Sequence, residues 1–195
     1  MTRIFDEVKK GYDRMGRINK RILPLCESAI LLALGVVLSL FTIFTMPNGG
    51  SITFASMLPV ILIGVRWGPL WGFGSSLVFG VLQLLLGFHA ITPWAIVLDY
   101  LLAYGVLGFS GFFKGRKYGL IPAAVICGFL RFVVHWISGV TIWASTTPEG
   151  IPVWYYSLTY NATYMLPEIV FAVLVAIVIC VPLQKFWLSK DAIKG

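Results

Sequence analysis

An all-α integral membrane protein, a bundle of six transmembrane helices with both termini on the cytoplasmic side, is the fold class that three observations predict. The 195 residues are 58% hydrophobic and 12% charged, with a mean hydropathy of +0.89, far too apolar for a water-soluble domain. The apolar runs approach the length of about 20 residues that crosses a hydrocarbon core of about 30 Å, and they lack the strict alternation of a transmembrane barrel. Lys and Arg are confined to alternate connections: of fifteen, seven precede the first span, one follows the second, three follow the fourth and three follow the sixth, leaving Arg131 inside a span. Cytoplasmic loops are the ones enriched in Lys and Arg, so this pattern puts both ends inside. The net charge of +7 is then a topology signal and an attraction to the anionic lipid bilayer, with no nucleic-acid partner implied.

The chain opens on a basic cytoplasmic segment, residues 1–21, carrying Arg3, Lys9, Lys10, Arg14, Arg17, Lys20 and Arg21. No apolar stretch precedes it and the run that follows is too long for a signal-peptide core, so no cleavage is expected. The membrane domain, 22–188, begins with a span over 22–44. MPNGGS at 46–51 is a turn, because Pro, Asn and Gly supply backbone angles that a helix interior avoids. A shorter apolar segment runs to Val65 and breaks at Arg66-Trp67-Gly68-Pro69; it holds barely enough residues to cross, which points to a tilted or partly re-entrant element. The third span, 70–86, is rich in glycine (Gly72, Gly74, Gly80) as close-packed membrane helices are. After a loop at 87–93, the fourth span covers 94–113, the fifth 120–144 behind the basic turn KGRKYG, and the sixth 157–183. Residues 189–195 form a cytoplasmic tail.

Cys26, Cys127 and Cys180 all fall in apolar spans without metal spacing, which predicts packed thiols and no disulfide framework. No glycine-rich phosphate loop, no zinc-type His pair and no nucleophile elbow occurs, so the chain carries no ATPase of its own and no cofactor or metal is expected.

Chemistry is concentrated in the polar groups that insertion into a membrane disfavours. An ionisable side chain at mid-bilayer costs about 2.5–3.5 kcal/mol on insertion scales, so Asp99, Arg131, His135 and Glu168 each require a reason. Asp99 and Arg131 paired with each other would satisfy a purely structural role between helices four and five. Glu168 either pairs with Arg131 or lies near the membrane surface. Arg131, His135, Gly139 and Trp143 recur at intervals of four, and four residues advance a helix face by only about 40°, so they form one slowly drifting stripe. Asp99 is bordered by Tyr100, with Tyr104 one turn on. Trp143, Trp154, Tyr155, Tyr156 and Tyr160 crowd the outer end of helices five and six. An interfacial aromatic belt accounts for Trp154 and Tyr155. The others, with one carboxylate, make a box suited to an organic cation, since rings facing a desolvated cation gain about 2 kcal/mol. Asn161 offers both a donor and an acceptor to a heteroaromatic edge.

LDY at 98–100, RFVVHWISG at 131–139 and PVWYYSLTYNATYMLP at 152–167 together resemble the thiamin-specific substrate-binding subunits of energy-coupling factor transporters. The order and spacing of these motifs match from about Ala29 to the end of helix six. The resemblance implies a six-helix bundle of the bacterial plasma membrane that binds thiamin at its outer face without catalysis. It also implies partners: a transmembrane coupling subunit and two cytoplasmic ATPases that drive toppling of the bundle. Asp99 matches the family's acidic ligand-binding position, which is Glu in some members. Tyr100, His135, Gly139, Trp143, Tyr156 and Asn161 match its other binding positions. Asp99 is then expected to offset the ligand's positive charge or accept from its aminopyrimidine. Trp143 and His135 would stack on the rings, Tyr100, Tyr156 and Asn161 would supply hydrogen bonds, and Gly139 would leave room for a ring. Some members place an aromatic lid in the loop after helix one; Gly49, Gly50 and Ser51 stand nearest here. The resemblance further implies that Ala29 and Ala33, small residues at i and i+4 that let another backbone approach, are the docking contact with the coupling subunit. His89 in GFHA is either a contact near the mouth or an interfacial histidine.

Two other functions are compatible with the residues. An intramembrane enzyme would use His135 with Asp99 or Glu149 as acid and base, but no nucleophile or metal triad completes that set. A stand-alone organic-cation carrier, or a sister subunit for a different vitamin, would use the same aromatic box.

Overall fold

The computed structural model describes residues 22–47, 50–87 and 92–187, with side chains to Cys180; the segment 1–21, the tail 189–195, Gly49 and His89 lie outside the described residues. The chain runs α1 (Ile22–Leu40), β1 (Thr42–Thr45), β2 (Ser51–Thr53), α2 (Leu58–Trp67), α3 (Pro69–Leu86), α4 (Pro93–Phe113), α5 (Leu120–Thr141) and α6 (Val153–Trp187). Among the described residues, α1, α3, α4, α5 and the segment Val153–Cys180 of α6 are long and apolar enough to cross a membrane, five candidate spans in all.

The exception is α2. Its 10 residues reach about 15 Å at 1.5 Å per residue, half a hydrocarbon core. Leu58, Pro59, Val60, Ile61, Ile63, Gly64 and Val65 are all buried. A helix apolar all round belongs inside the protein, and α2 is the centre of the bundle. Its side chains pack with Phe79 of α3, Leu107 of α4, Ala123 and Cys127 of α5, and Ala172 and Ala176 of α6 in one core cluster. The lipid-facing surface is apolar in turn, with Leu70 at 86% and Val178 at 71% exposure, as a bilayer requires.

The first span stops short of the expected 44, at Leu40, and the chain turns into an antiparallel hairpin that pairs Thr42 with Thr53 and Thr45 with Ser51. The local cause is the run of β-branched and aromatic residues in Thr42–Thr45 and Ser51–Thr53, which favour a pleated strand. Met46 N–H donates to Gly50 O at 2.5 Å at the closed end of the hairpin.

α4 changes its winding along its length. Thr92 caps its first turn, accepting from Ala95 N–H at 3.3 Å. Ile96–Leu102 is then a π-helix and Val106–Phe113 a 3₁₀-helix. Gly80 of α3 makes room for the widened turn: a Cβ there would come within 2.5 Å of Tyr100 O. Wide turns of this kind recur at functional positions, and this one carries Asp99 and Tyr100.

α5 ends at Thr141, three residues before the expected 144, and α6 starts at Val153, four before the expected 157. Of the thiols, Cys127 and Cys180 are packed in the interior, whereas Cys26, expected to be packed as well, is exposed on α1. Near the start of α1, Glu27 accepts from Arg66 Nε at 2.5 Å, Arg66 Nη2 at 2.8 Å and Trp67 Nε1 at 3.0 Å. This cluster fastens α1 to the α2–α3 junction.

Candidate ligand-binding site

The start of α4, the end of α5, the start of α6 and the hairpin enclose a cavity of about 160 Å³. It lies at the end of the bundle remote from the basic turn, since α4 runs away from it towards Lys114 and α5 returns. Asp99, Tyr100, His135, Gly139, Trp143, Tyr156 and Asn161 all line it.

Asp99 is the hub. Its Oδ1 lies 3.3 Å from His135 Nδ1, and its Oδ2 accepts from Trp143 Nε1 at 3.0 Å. A carboxylate with both oxygens engaged is held in one orientation, and it fixes the two rings it touches. A neutral His135 that donates from Nδ1 turns Nε2 into an acceptor, and Nε2 has no hydrogen-bond partner among the described residues.

Trp143 does not ride on the α5 stripe. Ile142 already caps the helix, and Trp143 takes φ −95° and ψ 14° at the head of a 3₁₀ turn, Ala144–Thr146. Its carbonyl accepts from Thr146 N–H at 3.0 Å and from Thr146 Oγ1 at 2.7 Å. The turn, not helical periodicity, swings the indole back over Asp99. Glu149 is exposed in the same connection, away from the His135–Asp99 pair that an enzymatic reading would join to it.

The α6 wall is a tyrosine ladder. Tyr156 and Tyr160 have ring centroids 5.9 Å apart, and Tyr160 and Tyr164 6.0 Å, the i, i+4 neighbours of a helix face. Asn161 stands behind the ladder: Nδ2 donates to Ser157 O at 2.8 Å and Oδ1 accepts from Tyr164 Oη at 2.6 Å. Its amide therefore braces the wall from within α6. Gly139 has a comparable second task, because a Cβ there would overlap Ser157 Oγ. The absent side chain lets α5 and α6 close on each other, and Ser157 Oγ donates to Trp136 O at 2.9 Å across the gap. Tyr100 Oη donates to Gly87 O at 2.6 Å, which ties the π-helix to the end of α3.

Arg131 pairs with Glu168, Nη1 to Oε2 at 4.0 Å, and not with Asp99. Its guanidinium also lies 4.3 Å over the Tyr104 ring, and Arg131 and Tyr104 both reach the cavity. Gly50 and Ser51 close it from the hairpin, where the chain is pressed so near α6 that a Cβ on Gly50 would come within 2.5 Å of Tyr164 Cε1. Neither residue is aromatic, so a lid contact at these positions is made by backbone and a hydroxyl.

Sequence reasoning missed Thr146, Ser157 and Tyr164 as lining residues. Ser157 and Tyr164 were within reach: they stand four before and three after Asn161, on one helix face. No comparable periodicity pointed to Thr146. Ala29 and Ala33 are exposed on α1 and do not line the cavity. No group of three His, Cys, Asp or Glu that could hold a metal occurs among the described residues.

Comparison with known proteins adds an independent observation. The family described as thiamine transporter protein matches residues 25–187. The chain is 38% identical over 178 residues to the thiamine transporter ThiT of Bacillus subtilis, covering 83% of this chain and 91% of that protein. It is 25% identical over 190 residues to ThiT of Lacticaseibacillus paracasei, covering 89% and 94%. Its fold is similar to the solved structure of ThiT from Listeria monocytogenes, with a TM-score of 0.76 at 24% identity over 87% of this chain and 99% of that one.

Proposed function

The chain belongs to the thiamine transporter protein family, a family of transporters and not of enzymes, and from that premise we propose that it is the thiamin-binding subunit of an energy-coupling factor transporter. The observation that carries this reading is the cavity in which Asp99 bonds His135 and Trp143 opposite the Tyr156–Tyr160–Tyr164 ladder. One carboxylate among aromatic rings in a water-poor recess suits a cationic heteroaromatic ligand. The relatives named ThiT support thiamin as that ligand.

Asp99 offsets the positive charge of the bound ring or accepts from the aminopyrimidine, while Trp143 and His135 present ring faces. His135 Nε2 is a further acceptor for an amino group. Tyr100 and Tyr156 supply hydrogen bonds at the walls. Asn161 acts chiefly by holding Tyr164, and Gly139 by setting the α5–α6 spacing that gives the cavity its width.

The remainder of the assembly follows the same reading. The six helices form a bacterial plasma-membrane unit, with α2 crossing as a buried short helix continued by the hairpin and with both termini cytoplasmic. The loops rich in Lys and Arg are then inside, and the cavity opens outside. The exposed Ala29 and Ala33 on α1 are the docking face for a transmembrane coupling subunit, which brings two ATPases to drive release inward.

Titration of the purified chain with a vitamin panel, followed by tryptophan fluorescence, tests the reading. Thiamin is expected to quench by stacking on Trp143, and riboflavin and biotin to leave the signal unchanged. Saturable binding of another vitamin in place of thiamin would make the chain a sister subunit. Uptake of organic cations by the chain alone in vesicles would make it a carrier.

A further inference from the structure

Glu168 does not line the cavity, yet it is bonded to two parts of its wall. The residue is 2% exposed. Its Oε1 accepts from Thr53 Oγ1 at 2.7 Å, and its Oε2 faces Arg131 Nη1 at 4.0 Å. Thr53 ends β2, two residues after Ser51, which closes the cavity with Gly50. Arg131 lies against Tyr104, and both line the same cavity.

The hydrogens in this chain have one arrangement. A threonine hydroxyl has a single hydrogen, and Thr53 donates it to Glu168, because a carboxylate only accepts. Ser56 Oγ, 2.7 Å from Thr53 Oγ1, must then be the donor to Thr53. The result is a directed chain, Ser56 to Thr53 to Glu168, facing the guanidinium. Thr53, Ser56, Arg131 and Glu168 are all buried, where an unpartnered polar group or charge is strongly disfavoured. The root of the hairpin is therefore fastened to a charge pair. The outer strand faces outward, with Ile43 59% and Phe44 54% exposed.

Resting on the binding reading above, we propose that Glu168 is a positioning residue for ligand retention: by tying the root of the hairpin to Arg131, it sets how firmly Gly50 and Ser51 cover bound ligand that it never touches. Ligand leaves when the hairpin lifts, so the tie sets how fast it departs.

Stopped-flow tryptophan fluorescence with thiamin on the purified chain tests this. Thr53→Val keeps the shape and removes the hydroxyl. It is expected to raise the dissociation rate about tenfold, roughly 1.4 kcal/mol, with thermal unfolding still cooperative. Thr53→Ser restores the hydroxyl and is expected to restore slow dissociation. In a Glu168→Gln background the Thr53→Val effect is expected to shrink, as for two members of one network. Unchanged dissociation in Thr53→Val, failure of Thr53→Ser to restore it, or simple additivity with Glu168→Gln would each overturn the proposal. If the unaltered chain binds no thiamin, the binding reading itself fails, and that outcome is distinct because it appears before any substitution is made.

Discussion

Asp99 and Trp143 show how a site residue is made by what surrounds it. An aspartate alone in a membrane helix is unfavourable, but this one has a ring nitrogen on each oxygen, so its orientation is set before any ligand arrives. Asp99→Ala removes the charge and releases both rings. Its expected effect is a loss of thiamin affinity of tenfold or more, about 1.4 kcal/mol per decade, measured by equilibrium titration of the folded variant. Gly139→Ala probes the wall instead. The added Cβ meets Ser157 Oγ, and overpacking of this kind costs about 1–3 kcal/mol. A lower melting temperature together with weaker thiamin binding is the expected outcome, checked by thermal unfolding and titration of one preparation. Arg131 illustrates what residue types leave undecided. Either Asp99 or Glu168 was a chemically reasonable partner, and only the placement of α6 beside α5 selects Glu168.

The helices explain why some boundaries were legible and others were not. Apolar length identifies α1, α3, α4, α5 and α6, because lipid demands it. It says nothing of where a helix yields to another regular structure of the same polarity. Ile43 and Phe44 in Thr42–Thr45 continue the apolar run of α1, so the first strand is indistinguishable from the end of a helix by apolar length. The π-turn around Asp99 is invisible for a related reason: a change from i→i−4 to i→i−5 hydrogen bonding leaves no mark on composition. The stripe of four on α5 predicted the right company for Trp143 by the wrong geometry, since a turn and not the helix delivers the indole. α1 yields two predictions that separate attachment from docking. Glu27→Gln weakens the cluster with Arg66 and Trp67 and is expected to lower the melting temperature of the purified chain while leaving thiamin affinity unchanged. Ala33→Trp adds bulk on an exposed face. It is expected to abolish uptake and co-purification with the coupling subunit, again with thiamin binding to the isolated chain intact.

Across the whole molecule, one short buried helix organises the rest. α2 is too brief to face lipid from end to end and is packed by five other helices' worth of apolar surface, so it serves as the core around which α3 to α6 stand. At one end of it Arg66 meets α1, and at the other the hairpin roots itself on Glu168. The basic turn at 114–117 and the cavity fall at opposite ends of the bundle. The most direct test of the central claim is a crystal structure of the purified chain grown with thiamin. The ligand is expected in the cavity, within hydrogen-bond distance of Asp99 and with a ring against Trp143. Thiamin bound elsewhere on the chain, with Asp99, His135 and Trp143 still closed on one another and untouched, would contradict it.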